Sequence, residues 1–141
     1  KSVASKSYAK SGNMDIFRGV TELSAGGYAI TGAYSPKGLG NEYANDGGRM
    51  WLVKLKPDFG FSWHKTFKGT GTAEGFSVAN APDNGVIIAG FTMSASKNRD
   101  AYIVRADDTG NALWSYISGW PGEDSALKVI PTSNNTFLVT G

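Results

Sequence analysis

Two counts limit the chemistry open to this chain: it contains one histidine, His64, and no cysteine. A zinc site built on several histidines is therefore excluded, as are thiolate metal sites, disulfides and cysteine nucleophiles. His64 follows Trp63 in a strand-like run, so the two side chains should face opposite ways. It has no partner at ligand spacing, and a surface or hydrogen-bonded role is expected for it.

The carboxylates offer two further readings. Glu74 and the pair Glu123-Asp124 recur at similar places along the chain. Two acids facing each other across a cleft could hydrolyse a glycoside, whereas acids solvated in loops would do nothing of the kind. Asp107, Asp108 and Asn111 cluster as calcium ligands might, but the spacing and terminal glutamate of an EF-hand are absent. Asp side chains that close their own turn explain the cluster without a metal. Gly69 to Gly75 has the glycine density of a phosphate loop but lacks the Gly-Lys-Ser/Thr ending and a following helix. It reads as an inter-strand loop. No catalytic residue, metal ligand or cofactor is expected from any of these.

Aromatic rings in loops are the remaining candidates. Trp120, followed by Pro-Gly, could stack on a sugar or anchor a protein partner if exposed, or pack over a sheet edge. Tyr43 is a second such ring, in the long polar loop of residues 35–49. Asn134-Asn135-Thr136 matches a glycosylation acceptor, which matters only in a eukaryotic secretory setting.

Composition narrows the partners. The 14 basic and 12 acidic residues are interspersed and leave a net charge of +2. No basic run tracks phosphates, so nucleic acid is not an expected partner. With 40% hydrophobic, 12% aromatic and 18% charged residues over 141 positions, the chain can bury a core and is not expected to be disordered. No apolar run reaches the roughly 18 residues of a membrane helix, so no transmembrane segment is expected. The first residues contain no apolar leader core, so any signal peptide is expected to have been removed or never present.

The elements that would carry these residues are written at a fixed period. Trp51 to Trp63 and Ala101 to Trp114 share one pattern: a strand, a turn with glycine, and a strand opening on tryptophan. The turn glycines Gly60 and Gly110 lie 50 apart, and Trp63 and Trp114 lie 51 apart. A second anchor ends on Gly32, Gly90 and Gly141, in Gly-Gly-Tyr-Ala-Ile-Thr-Gly, Asn-Gly-Val-Ile-Ile-Ala-Gly and Asn-Thr-Phe-Leu-Val-Thr-Gly. Such a period is the mark of a repeat architecture. Between these anchors the pattern predicts about eleven short strands and no helix, beginning with a weak strand over Val3–Ala9 and ending with strands at 125–130 and 136–140. The fold class is all-β.

The segment Asp107-Asp-Thr-Gly-Asn-Ala-Leu-Trp114 resembles the Asp…Thr-Gly-x-x-x-Trp repeat of quinoprotein-like β-propellers. Asp58-Phe-Gly-Phe-Ser-Trp63 is similar to the core of an Asp-box, with Lys56 in place of the usual Ser or Thr. The whole unit is similar to repeats of bacterial secreted and envelope proteins. The resemblance implies four-stranded antiparallel blades, about 2.75 of them, in one partial propeller domain over 1–141 with units of about 1–60, 61–110 and 111–141. Trp63 and Trp114 would wedge between blades, and Gly32, Gly90 and Gly141 would permit close backbone approach. The long loop at 35–49 is an insertion relative to the matching stretch after Gly90, either on a binding face or simply tolerated.

Three functions are compatible with this reading. The first is a non-enzymatic scaffold that engages other protein chains, or the remainder of a longer propeller, in a bacterial envelope, periplasmic or secreted setting. The second is a glycan-binding module. The third is a fragment of a quinoprotein-like enzyme, which would need a quinone that no motif here identifies.

Overall fold

The computed structural model describes residues 14–35, 48–93 and 98–141. Among them are ten strands: β1 (Met14–Glu22), β2 (Tyr28–Ser35), β3 (Arg49–Leu55), β4 (Phe61–Phe67), β5 (Ala73–Asn80), β6 (Val86–Met93), β7 (Arg99–Ala106), β8 (Ala112–Ser118), β9 (Lys128–Pro131) and β10 (Phe137–Thr140). The only helical pieces described are single 3₁₀ turns at Pro82–Asn84 and Ser133–Asn135. The fold is all-β, as the periodicity predicts. The expected strand over Val3–Ala9 and the ring of Tyr43 lie outside the described residues.

The strands form three antiparallel sheets, β1-β2-β3-β4, β5-β6-β7-β8 and the hairpin β9-β10. Each hairpin closes through a five-residue turn in which the first residue's N–H donates to the fifth residue's carbonyl. The pairs are Leu23 to Gly27, Lys56 to Gly60, Ala81 to Gly85, Asp107 to Asn111 and Thr132 to Thr136. Turn chemistry explains why the chain reverses there: left-handed backbone is supplied by Gly26, Gly27, Gly110 and by Asn and Asp side chains such as Asn84 and Asn134.

The first two sheets match in detail. Their registers slip at Phe17/Gly19 in β1 and Gly75/Ser77 in β5, and again at Lys54/Leu55 in β3 and Arg105/Ala106 in β7. A bulge bends the strand and raises its twist. Gly32, Gly90 and Gly141 each face a carbonyl sixteen positions upstream, that of Ile16, Glu74 and Ser125, and a Cβ at any of them would collide with it.

Burial follows position in the sheet. β6, central in its sheet, reads Val-Ile-Ile-Ala-Gly-Phe-Thr and is buried on both faces, which requires a continuous apolar run rather than alternation. β8, at the sheet edge, is exposed along its whole length.

The core lies between sheets. Ala29, Met50 and Leu52 of the first sheet meet Ala73, Val78, Ile88, Tyr102 and Val104 of the second, with Trp63 packed against the cluster. On the other face of the second sheet, Ala79, Ile87 and Ala89 meet Ala126 and Val129, flanked by Phe137 and Val139. The backbones approach most closely at β5, which touches β1, β2 and β3 on one side and β9 on the other. Polar ties cross the same seams. Arg18 Nε donates to Glu74 Oε1 at 2.6 Å, and Asn80 both donates to the Glu22 carbonyl and accepts from Ser24 N–H. Ala126 N–H donates to the Gly90 carbonyl at 3.0 Å.

Two expectations shift. The ninth strand runs over Lys128–Pro131 rather than from residue 125, because Ser125 and Ala126 are drawn against the second sheet by that bond and by the close approach at Gly141. The units of about 1–60, 61–110 and 111–141 are offset by one strand from the sheets. The Asp-Gly turn that marks them lies between the third and fourth strands of a sheet, not between sheets.

Candidate protein-binding surface

Two tryptophans at matching places have different surroundings. Trp63 of β4 lies against the β7–β8 turn, so close that a Cβ on Gly110 would sit 2.6 Å from its ring. Lys54, its cross-strand neighbour, covers the ring at 5.7 Å and donates to the Asp108 carbonyl at 3.0 Å. Lys65 adds a longer bond to Asn111 Oδ1 at 3.4 Å. Trp114 of β8 has no such cover and is 47% exposed. Its cross-strand neighbour is Arg105, whose guanidinium turns away to the carbonyls of Pro82, Val86 and Ala106. Burial pulls the Arg105 pKa below the ordinary arginine value, opposed by the charges of Asp83 and Asp107.

Beside Trp114 opens an apolar groove of about 420 Å³, lined by Ile87, Ile103, Trp114, Tyr116, Phe137 and Val139 together with Ser115. Its floor is β6 and β7, one wall is β8, and the other is β10, the edge strand of the hairpin. The sequence marked Trp114 through its spacing but gave no prominence to Ile103, Tyr116, Phe137 and Val139. The usable signal was the alternation Trp-Ser-Tyr on an edge strand.

A second apolar face covers the outside of the first sheet. Phe17 stacks on Trp51 at 4.8 Å, Tyr34 tilts against the same ring at 5.5 Å, and Tyr28 stacks on Phe59 at 5.1 Å. Beneath them Trp51, Val53 and Leu55 are buried. At the rim, Val20 is 66% exposed and Phe61 is also exposed. His64 belongs to this face, where its Nδ1 accepts from Trp51 Nε1 at 3.2 Å.

No family model matches the chain, and no curated protein matches its sequence. The surface must therefore be read from its own geometry.

The remaining sequence candidates are placed apart. Glu74 is buried and paired with Arg18, Glu123 lies 3.7 Å from Arg99, and Asp124 accepts the Trp120 N–H at 2.8 Å. Each acid thus has its own partner, and none is presented to another as a hydrolytic pair. Asp107 uses its carboxylate inside its turn: Oδ1 accepts from Thr109 N–H, Thr109 Oγ1 and Asn111 N–H, and Oδ2 accepts from Asn111 Nδ2. The Thr109 and Asn111 bonds hold its pKa below the ordinary carboxylate value. Among the described residues no group of three or more His, Asp or Glu converges on a metal position. Gly69 and Gly71 lie in the loop before β5, and Gly75 lies within it, tight against Thr31 of the neighbouring sheet. Trp120 is 81% exposed and does not pack over the sheet edge. No described helix is long and apolar enough to cross a membrane.

Proposed function

We propose that this chain is a stack of β-propeller blades that serves as a non-enzymatic scaffold for protein–protein interaction. The reading is supported by sheets that meet closely at β5 and are held apart further out by Leu52, Tyr102 and Trp63, the wedge arrangement of adjacent blades. The observation that carries it is the open groove at Trp114. Aromatic rings rimming an apolar depression are the residue types that anchor protein partners. The partners are other protein chains or further blades of the same kind. The bacterial envelope or secreted setting rests on the resemblance of the unit alone.

Affinity capture with the wild-type chain and with a Trp114→Ala, Tyr116→Ala double variant tests the scaffold. Loss of the same partners from the variant is expected. A hydrolytic activity that disappears in Glu74→Gln or Glu123→Gln would sink the reading.

A second reading, stacking of a sugar on Trp120, is favoured by the 81% exposure of that residue. A glycan array on which binding is absent, or survives Trp120→Ala, removes it.

A further inference from the structure

We infer that the groove at Trp114 is a strand-acceptor site: it takes an extended polypeptide that pairs antiparallel with the free edge of β10 and lies across Trp114 and Ile103. The inference rests on the scaffold reading and names the partner's chemistry.

The argument starts from β6 and β7. β6 pairs with β7 in register Val86 with Ala106, Ile88 with Val104 and Gly90 with Tyr102. The Tyr102, Val104 and Ala106 side chains from that strand fill the space over Leu52, beside Trp63, and the turn that follows it closes over the indole. β10 stands to Trp114 as β6 stands to Trp63. Gly141 and Gly90 meet carbonyls in the same way, Phe137 and Val139 face the second sheet as Val86 and Ile88 face the first, and Thr132 pairs with Thr136 as Ala81 pairs with Gly85.

In an antiparallel ladder the bonded pairs alternate. Since Thr136 bonds to β9, Leu138 and Thr140 also bond to β9, and the amides of Phe137 and Val139 point to the open edge. A strand added there would satisfy those amides and bury Trp114 in one step. Main-chain pairing would supply affinity and the groove would select the side chains. The surface is continuous with the seam already formed by Ala126 and Val129 on the second sheet. The fitting occupant has small or β-branched residues at alternate positions and ends in an Asp-Gly turn, the pattern of Arg99–Asn111 itself.

The probe is therefore a synthetic peptide with the sequence of residues 99–111, titrated into the intact chain. Saturable binding is expected. N-methylation at the peptide position equivalent to Val104, whose amide would meet the edge, should weaken it about tenfold, the equivalent of roughly 1.4 kcal/mol. N-methylation at the Ile103 position, pointing away, should leave affinity nearly unchanged. On binding, the Phe137 and Val139 amides should gain protection from hydrogen exchange while Leu138 and Thr140 do not change. Trp114→Ala should weaken binding with the thermal melt preserved. Equal effects of the two N-methyl groups, or protection at Leu138 and Thr140 instead, overturn strand addition. A complete failure to bind also overturns it. The scaffold reading survives that failure if partner capture still depends on Trp114 and Tyr116. A concentration-dependent doubling of native mass that the peptide does not compete away assigns the groove to a second copy and overturns the inference.

Discussion

Trp63 and Gly110 touch across two sheets, with the indole pressed where a Cβ would otherwise be, 2.6 Å away. Gly110 also holds a φ of +85°, which an L side chain rarely adopts. Gly110→Ala should therefore cost roughly 1–3 kcal/mol, from overpacking and backbone strain together. Urea denaturation measures it, and a loss below a few tenths would show that the contact is not tight.

The same seam sets two tryptophans against each other. Trp63→Ala should cost about 3 kcal/mol, since the ring fills space between sheets. Trp114→Ala should cost under about 1 kcal/mol, because half of its surface is already in water. Parallel denaturation of the two variants decides the matter, and equal losses would mean that Trp114 is covered in solution.

Gly32 and Gly90 face carbonyls of the preceding strand so closely that alanine cannot be accommodated without backbone movement. Each Gly→Ala change should destabilise by about 2 kcal/mol or more. Gly141 has the same approach but belongs to the two-stranded hairpin, so its alanine variant should cost less. Thermal melts of the three variants test the ranking.

Glu74 is buried with its carboxylate on Arg18, while Arg18 itself is partly in solvent. Arg18→Met should cost roughly 1–3 kcal/mol by leaving a buried acceptor without its charged donor. Adding Glu74→Gln to Arg18→Met should recover part of the loss. A double-mutant cycle with no coupling would remove the pair from the account of how the sheets are joined.

Asp107 gives an acid-sensitive signature. Its folded-state pKa is lowered, chiefly by the Thr109 hydroxyl and the Asn111 backbone amide. Stability from this group is present above the unfolded carboxylate value, near pH 4, and is lost as pH falls from there through the folded value. The stability gap between wild type and Asp107→Ala should thus be wide at pH 7 and narrow below about pH 3. A gap that does not change with pH would mean that the carboxylate charge contributes nothing to the turn.

Much of the fold was legible because its signals are local. Asn84-Gly85 and Thr109-Gly110 announce turns through backbone chemistry, and alternation in Tyr28–Tyr34 announces a half-buried strand. What was not legible depends on which strands meet. Glu74 reads as a loop acid until β1 brings Arg18 beside it, and Trp114 reads as a twin of Trp63 until the absence of a turn over it is seen. The offset between the sequence units and the sheets has the same origin, since a turn motif marks a hairpin without saying where one sheet ends.

β5 is the strand through which the first sheet and the hairpin both reach the second sheet. Coupling of this kind runs only between neighbours, so stability behaves as a chain of links rather than as one shared core. The outer sheets can fray independently, and a defect in either is felt by one neighbour alone. A defect in β5 or β6 is felt on both sides, which makes the middle sheet the element whose loss would unfasten the whole assembly.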